Sequence, residues 1–356
     1  MKIAFGVFDW GLGHATRSTP LINELINQGH EVHIISTGRA LIILKNNFKD
    51  KCIYHDLPSI FPPYSKIPFH VSFVLHASKM IKSLKEARKH SKELIEKEKF
   101  DIVISDARYD VYDTPENSLI IKHQVRFKAP IVVQNLLEKF LANQVKHYRY
   151  VLVPDFPGED NLSGILSHNL KHIPKEKIKY MGIISNIKRI KVNQDVDYFI
   201  SLSGPEPGRT RLEKKILSQL PSLKGKIIIA GGNPECNTEQ CKENVEFYSF
   251  LNSKEQENIM NRAKFVITRS GYTTIMELAE LEKNQTLLIP TSGQTEQEYL
   301  GDYYEKKGYF HHVSQFRLNL KKDIEKCRSF KGFNHPWKTQ QSLKNFIEII
   351  NNLFVK

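Results

Sequence analysis

Residues 2–29 read KIAFGVFDWGLGHATRSTPLINELINQG, and their interpretation sets the fold of everything around them. The run Lys2 to Phe8 is apolar and short, as a strand is. From Ser18 onward, Leu21, Ile22, Leu25 and Ile26 fall on one helical stripe that Gly29 stops. A strand can be joined to a helix with one turn residue and an N-cap. Here the connection is DWGLGHATRS, with Gly11, Gly13, His14 and Arg17 packed into it. Glycines permit positive φ or close approach of a ligand, and the helix beyond them begins with unpaired N–H donors that attract anions. His14 adds a group able to exchange a proton near neutral pH.

Beyond this connection, short apolar runs alternate with helical periods along the whole chain. EVHIIS, CIYHDL, FDIVISD, SLIIKHQ and YVLVPDF read as strands in the first half. DYFIS, KIIIAGG, VEFYSF, KFVITRSG and QTLLIP continue the series in the second. Strands separated by helices imply α/β architecture: parallel sheets covered on both faces, here two Rossmann-like doubly wound domains. A chain of 356 residues exceeds one core, and the pattern turns polar and basic near residue 185. The expected division is 1–184, 185–335, and a C-terminal helix over 336–356 packing across the junction. The stretch LPSIFPPYSKIPF (57–69), with its prolines and aromatics, reads as an irregular excursion.

Bulk composition excludes several classes. Forty per cent hydrophobic and 26% charged residues describe a globular protein. No apolar run reaches eighteen residues and the N-terminus lacks an export signal, so a cytoplasmic location is expected. Cys52, Cys236, Cys241 and Cys327 are scattered, and no second pair completes a zinc site beside Cys236 and Cys241. The formal charge of +13 suits anionic ligands. It is compatible with a peripheral hold on the inner face of an anionic membrane. No zinc-finger, RNP-type or homeodomain signature accompanies it, so nucleic acid is not an expected partner.

Four strand ends finish in unusual polar or glycine-rich sequence, and ligands of open α/β sheets bind beyond such ends. The first is the DWGLGHATRS connection. In LSGPEPGRT, Ser203, Gly204 and Arg209 offer backbone N–H groups and a guanidinium to a phosphate. In TRSGYTTIMELAEL, Arg269, Ser270 and Gly271 form a turn suited to a diphosphate, and Glu277 sits about two turns on, able to accept from a ribose diol. In PTSGQTEQEY, Gln294, Gln297 and Glu298 suit sugar hydroxyls, which both donate and accept.

RSGYTTIMELAEL followed by LLIPTSGQTEQEY is similar to the donor-site pattern of GT-B glycosyltransferases, in the family 28 branch that includes the peptidoglycan N-acetylglucosaminyltransferase. DWGLGHATRS resembles that branch's glycine-rich loop ending in His. LSGPEPGRT, VPDFPGEDNLSGILSH and SDARYDVY resemble pieces of bacterial relatives of unassigned substrate. The resemblance implies a C-terminal domain that holds a nucleotide sugar, most often a UDP-sugar, and an N-terminal domain that holds the acceptor. By position it implies Glu277 on the ribose, Ser270 and Gly271 near the diphosphate, Gln297 with Glu298 on the donor sugar, and Phe250 with Leu251 near the uracil. Where the peptidoglycan enzyme has two glutamines this chain has Gln297 and Glu298, so its donor sugar is left open. The acceptor, whether glycan, lipid-linked or small molecule, is also open.

An inverting, metal-independent transfer needs a base for the acceptor hydroxyl, and His14 is the candidate. Asp106, ending FDIVISD, is placed to orient it, or to cap a helix. Gly11, Gly13, Arg17 and His123 are the candidate acceptor contacts; Arg17 and Arg209 have the plainer alternatives of solvation and of pairing with Glu206 or Glu213. Asp155 has the plainer alternative of capping a turn. No resident cofactor is expected beyond the nucleotide-sugar co-substrate. Two other readings stand beside this one. Some UDP-sugar 2-epimerases and hydrolases share the fold, and a non-catalytic basic binder of nucleic acid or membrane would share the charge.

Overall fold

The computed structural model describes residues 1–60, 75–233, 239–242 and 244–353. The chain divides into two compact units: Met1–Asn186 with Trp337–Lys356, and Ile187–Pro336.

In the first unit the strands are β1 (Lys2–Val7), β2 (Glu31–Ser36), β3 (Ile53–Asp56), β4 (Ile102–Asp106), β5 (Ser118–Ile121), β6 (Tyr150–Val153) and β7 (Ile178–Tyr180). They form one sheet in the order β3-β2-β1-β4-β5-β6-β7, and every neighbouring pair is parallel. Runs such as IVISD and SLII are buried along their whole length, as strands covered on both faces must be. The helices are α1 (Leu12–Asn27), α2 (Gly38–Phe48), α3 (Ala77–Glu98) and α4 (Ile131–Val145). α1 starts six residues before the Ser-Thr-Pro that the sequence suggests, and Pro20 lies inside it. Gly11 is its N-cap at φ 101°, a conformation that L side chains rarely adopt.

The second unit holds β8 (Val196–Ser201), β9 (Ile227–Ala230), β10 (Glu239–Lys242), β11 (Val245–Tyr248), β12 (Ala263–Thr268), β13 (Thr286–Leu288) and β14 (His311–His312). Their order is β10-β11-β9-β8-β12-β13-β14. Only the β10–β11 pair is antiparallel among the described strand pairs. Its helices are α5 (Gly208–Leu217), α6 (Ser253–Arg262), α7 (Tyr272–Leu281), α8 (Thr295–Lys306) and α9 (Leu320–Cys327). A last helix, α10 (Thr339–Asn351), returns to the first unit. It buries Phe346 and Ile350 in the core built on β1, β2, β4 and α1, so it is part of that core rather than a separate element at the junction.

In each sheet the strand order reverses once: at β1 beside β4, and at β8 beside β12. Connections at such a point leave on opposite faces and open a crevice at the carboxyl ends of the strands. DWGLGHATRS, LSGPEPGRT and TRSGYTTIMELAEL follow β1, β8 and β12 at those two places, and PTSGQTEQEY follows β13, one strand further along. Cys236 and most of the 57–69 stretch lie outside the described residues.

Candidate active site

In the N-terminal unit the site grows from two neighbouring strands. Val7 of β1 pairs in register with Asp106 of β4, so the first turn of α1 is delivered beside the Asp106 carboxylate. Because α1 begins at Leu12, His14, Arg17 and Ser18 sit at i, i+3 and i+4 on one helical face. All three reach Asp106. His14 Nδ1 lies 3.1 Å from Oδ1, Arg17 Nε donates to Oδ2 at 2.9 Å, and Ser18 Oγ donates to Oδ2 at 2.9 Å. Arg17 Nη2 closes the fork on Oδ1. The same guanidinium reaches His123 Nδ1 at 2.8 Å and His14 Nδ1 at 2.8 Å.

Asp106 is fully buried and Arg17 is 2% exposed, whereas the His14 side chain keeps 18% exposure. Burial by itself raises the Asp106 carboxyl, but the charges of Arg17 and His14 and their hydrogen bonds overcome it and hold it well below the usual carboxylate range. Burial and then the Arg17 charge pull His14 down to about 4, against the opposing effect of Asp106. His14 is therefore a neutral imidazole at working pH, facing an ionised carboxylate. The Phe8 ring packs edge-on to it at 5.4 Å. Arg17, expected as an acceptor contact, instead holds the dyad from beneath, and Ser18 is a member the sequence reading left out. Two further polar atoms of these loops, Asp9 Oδ1 and Tyr109 Oη, are buried without a hydrogen-bond partner among the described residues. Asp155 accepts from the backbone of Phe156, Leu162 and Ser163 and holds its own loop.

In the C-terminal unit the carboxyl ends of β8, β12 and β13 converge. Gly204, at φ 108°, has no Cβ; one built there would meet Thr291 Oγ1 at 3.3 Å and Arg269 Nε at 3.9 Å. Arg269 is buried and donates to the carbonyls of Ser203, Ile289 and Pro290 and to Gln315 Oε1. Ser270 Oγ donates to the Gln297 carbonyl at 2.8 Å. Gly271 caps α7, and a Cβ there would lie 3.8 Å from Gln297 Nε2. The Gln297 amide is spanned between Thr291 N–H and Gln294 Oε1, and Glu298 accepts from Gly293 N–H at 2.9 Å.

Glu277 lies in the second turn of α7, 4% exposed, with Gln256 Nε2 at 3.3 Å from its Oε2. Burial pushes its carboxyl up to about 8. A buried acid with one long hydrogen bond has unused acceptor capacity. Phe250 is 44% exposed and Leu251 is buried, in the loop after β11. Arg209 lies elsewhere in its hydrogen bonding: Nε donates to Glu206 at 2.6 Å, and Nη1 to Glu213 and to the Gly231 carbonyl. Its charge is compensated by two carboxylates, the pairing alternative named above. Gln315 and Gln256 belong to this cluster and lie outside every stretch quoted above, while Thr291 belongs to it from within PTSGQTEQEY.

Two family models match the chain: glycosyl transferase family 1 over residues 1–114, and the glycosyltransferase family 28 C-terminal domain over residues 208–353. An uncharacterized glycosyltransferase of Methanosarcina mazei is 25% identical over 87% of this chain and 84% of its own length. The UDP-N-acetylglucosamine--N-acetylmuramyl-(pentapeptide) pyrophosphoryl-undecaprenol N-acetylglucosamine transferase of Clostridium tetani is 26% identical over 88% of this chain and 86% of its own. The solved structure of MurG from Acinetobacter baumannii has the same fold, with a TM-score of 0.60 and 12% identity over 99% of both chains. The two matched segments each contain one of the strand-end clusters, and with its two doubly wound sheets the chain is a glycosyltransferase of GT-B fold whose C-terminal segment matches the family 28 domain.

Proposed function

We propose that this glycosyltransferase takes its sugar from a UDP-sugar bound by the C-terminal unit and transfers it, with inversion and without a metal, to an acceptor hydroxyl bound by the N-terminal unit. The observation that carries the reading is the dyad of His14 and Asp106, 3.1 Å apart. With Nδ1–H donated to Asp106 Oδ1, and the Arg17 Nη2 hydrogen spent on that same carboxylate oxygen rather than on Nδ1, Nε2 is left to accept the hydroxyl proton as the oxygen attacks the anomeric carbon. The bond from that carbon to the diphosphate oxygen breaks, and its electron pair leaves with the nucleoside diphosphate. Asp106 then stabilises the imidazolium, as the acid of a triad does. The positive charge of Arg269 and the helix start at Gly271 favour the departing diphosphate. Glu277 suits the ribose diol, and the UDP-N-acetylglucosamine donor in the name of the Clostridium tetani relative supports uridine as the base.

The exposed Ile131, Val132 and Leu136 lie in the first turns of α4, and Lys139 is exposed beside them. They support a peripheral hold on an anionic membrane from the cytoplasmic side; no described helix is long and apolar enough to cross one. Sedimentation with anionic and neutral vesicles tests that part alone.

The decisive test is thermal shift with UDP-, dTDP- and GDP-sugars, followed by His14→Ala. Bound donor raises the midpoint by mass action. His14→Ala is expected to keep that shift and lose at least 100-fold in turnover, within the range general-base catalysis supplies. No shift with any nucleotide sugar overturns the donor assignment; retained turnover removes His14 as the base. Product stereochemistry by NMR distinguishes inversion from retention.

A further inference from the structure

Arg269 is a buried cation without a counter-ion. Its guanidinium is 2% exposed. Its described acceptors are three backbone carbonyls and the amide oxygen of Gln315, at 3.1–3.2 Å. No carboxylate pairs with it among the described residues, and Nη2 has no hydrogen-bond partner there. Every other arginine buried to a similar degree has one: Arg17 meets Asp106, Arg108 meets Asp110, and Arg126 meets Glu138. Buried charge is normally paired, because an isolated one is costly. Burial pulls the guanidinium down to about 10, which marks the same cost.

The acceptors come from three different loops: Ser203 after β8, Ile289 and Pro290 after β13, and Gln315 after β14. One planar fork thus ties the strand ends around Gly204 and Gly271, while its charge stays uncancelled by the protein. Gln315 decides that. It is 6% exposed and places a neutral oxygen where a glutamate, nearly identical in shape, would supply a full negative charge.

We propose that Gln315 is a positioning residue for the donor: it fixes the Arg269 guanidinium through a neutral acceptor, so that the only anion available to that buried charge is the diphosphate of the nucleotide sugar. The inference rests on the donor reading above and deepens it. Arg269 acts through bracing and through its field; Gln315 acts through Arg269 and touches no substrate.

The test compares UDP with uridine, because the nucleoside lacks the phosphates that the charge attracts. Binding to the full-length chain is measured by calorimetry for wild type, Gln315→Glu, Gln315→Leu and Arg269→Met. Gln315→Glu is expected to weaken UDP by about tenfold or more, the scale of one added charge interaction a few ångströms into protein. Uridine affinity should stay within about twofold, and the melting temperature should not fall, since the new carboxylate pairs with the guanidinium. Gln315→Leu, which removes the acceptor but adds no charge, should cost UDP less than Gln315→Glu. Should Gln315→Glu fail to fold, Arg269→Met carries the test alone: the ratio of UDP to uridine affinity must drop by about tenfold.

Gln315→Glu binding UDP as wild type does overturns the proposal while leaving the donor reading intact. An equal loss of UDP and uridine overturns it too, since that is what mere disruption of the fold would do. Wild type that binds none of UDP, dTDP and GDP removes the donor reading, and this inference with it.

Discussion

His14 and Glu277 are displaced from their ordinary titration ranges in opposite directions, and each displacement makes a prediction. His14 is lowered from 6.5 to about 4 by burial and by Arg17. The unfolded chain binds this proton more readily than the folded one, so its contribution to stability is present above pH 6.5 and is lost as pH falls toward 4. The difference corresponds to about 3 kcal/mol at full titration. The proposed base also stays unprotonated down to that range, so kcat/KM should lose activity on the acid side with an apparent pKa well under 6.5. A profile with its acid limb at 6.5 would contradict the burial of His14 against Arg17. Glu277 is raised to about 8 by burial. Its neutral form is favoured by folding, so its contribution is fully present below pH 4.5 and is lost as pH rises through 8. Glu277→Gln should therefore flatten the fall in melting temperature between about pH 5 and pH 8. It should also weaken donor binding by about threefold to tenfold, the value of a hydrogen bond to a neutral acid. Calorimetric melting and UDP titration read the two effects separately.

At the scale of elements, α1 organises the N-terminal site, and its start explains how much of that site the sequence discloses. The apolar runs Ile3 to Val7, Ile102 to Ile104 and Phe265 to Ile267 are long enough to be read as buried strands, and the sheets follow from them. β7, β10 and β14 are two to four residues long and escape such reading; their pairing is set by neighbours far along the chain. The boundary of α1 is hidden for a different reason. Ser18-Thr19-Pro20 carries the composition of a helix start, but Gly11 takes the cap instead, since only glycine readily holds its φ of 101°. With the start displaced, Arg17 reads as a solvated residue and Ser18 as the opening of the helix, although both are buried against Asp106. Glu277, by contrast, is legible from its place after a strand-end turn. Gln315 is not, because an amide in a loop becomes informative only when Arg269 is seen against it. Gly11→Ala tests the hinge between local geometry and chemistry. A Cβ there meets nothing within 4 Å, so its cost is backbone strain alone, about 1–3 kcal/mol. A shift of the first turn moves His14 and not the donor loops. Turnover should fall while the thermal shift given by UDP is unchanged; unchanged turnover at a lowered melting temperature would show that the cap does not set the position of His14.

On the scale of the whole molecule, the chain crosses between its two units twice, because α10 returns to the first unit after the second is complete. The N-terminal core therefore includes residues made last. Phe346 and Ile350 are fully buried against the cluster of Phe5, Leu21, Leu25 and Ile104. The second unit has its own core of Ile200, Ile229, Ile267 and Leu287, to which α10 contributes no side chain among the described residues. A large-to-small change at Phe346 leaves a cavity in one core only, at a cost of about 3–5 kcal/mol. Phe346→Ala should raise amide exchange along β1, β2 and β4, whose protection depends on that core, and leave β8, β12 and β13 protected as before. UDP binding should survive, because the donor loops hang from the second sheet, whereas turnover should fall with the population of intact N-terminal unit. Hydrogen exchange followed strand by strand reads this directly. Equal loss of protection in both sheets would mean that the chain unfolds as a single cooperative body. In that case the return of α10 would stabilise donor binding as much as it stabilises the dyad.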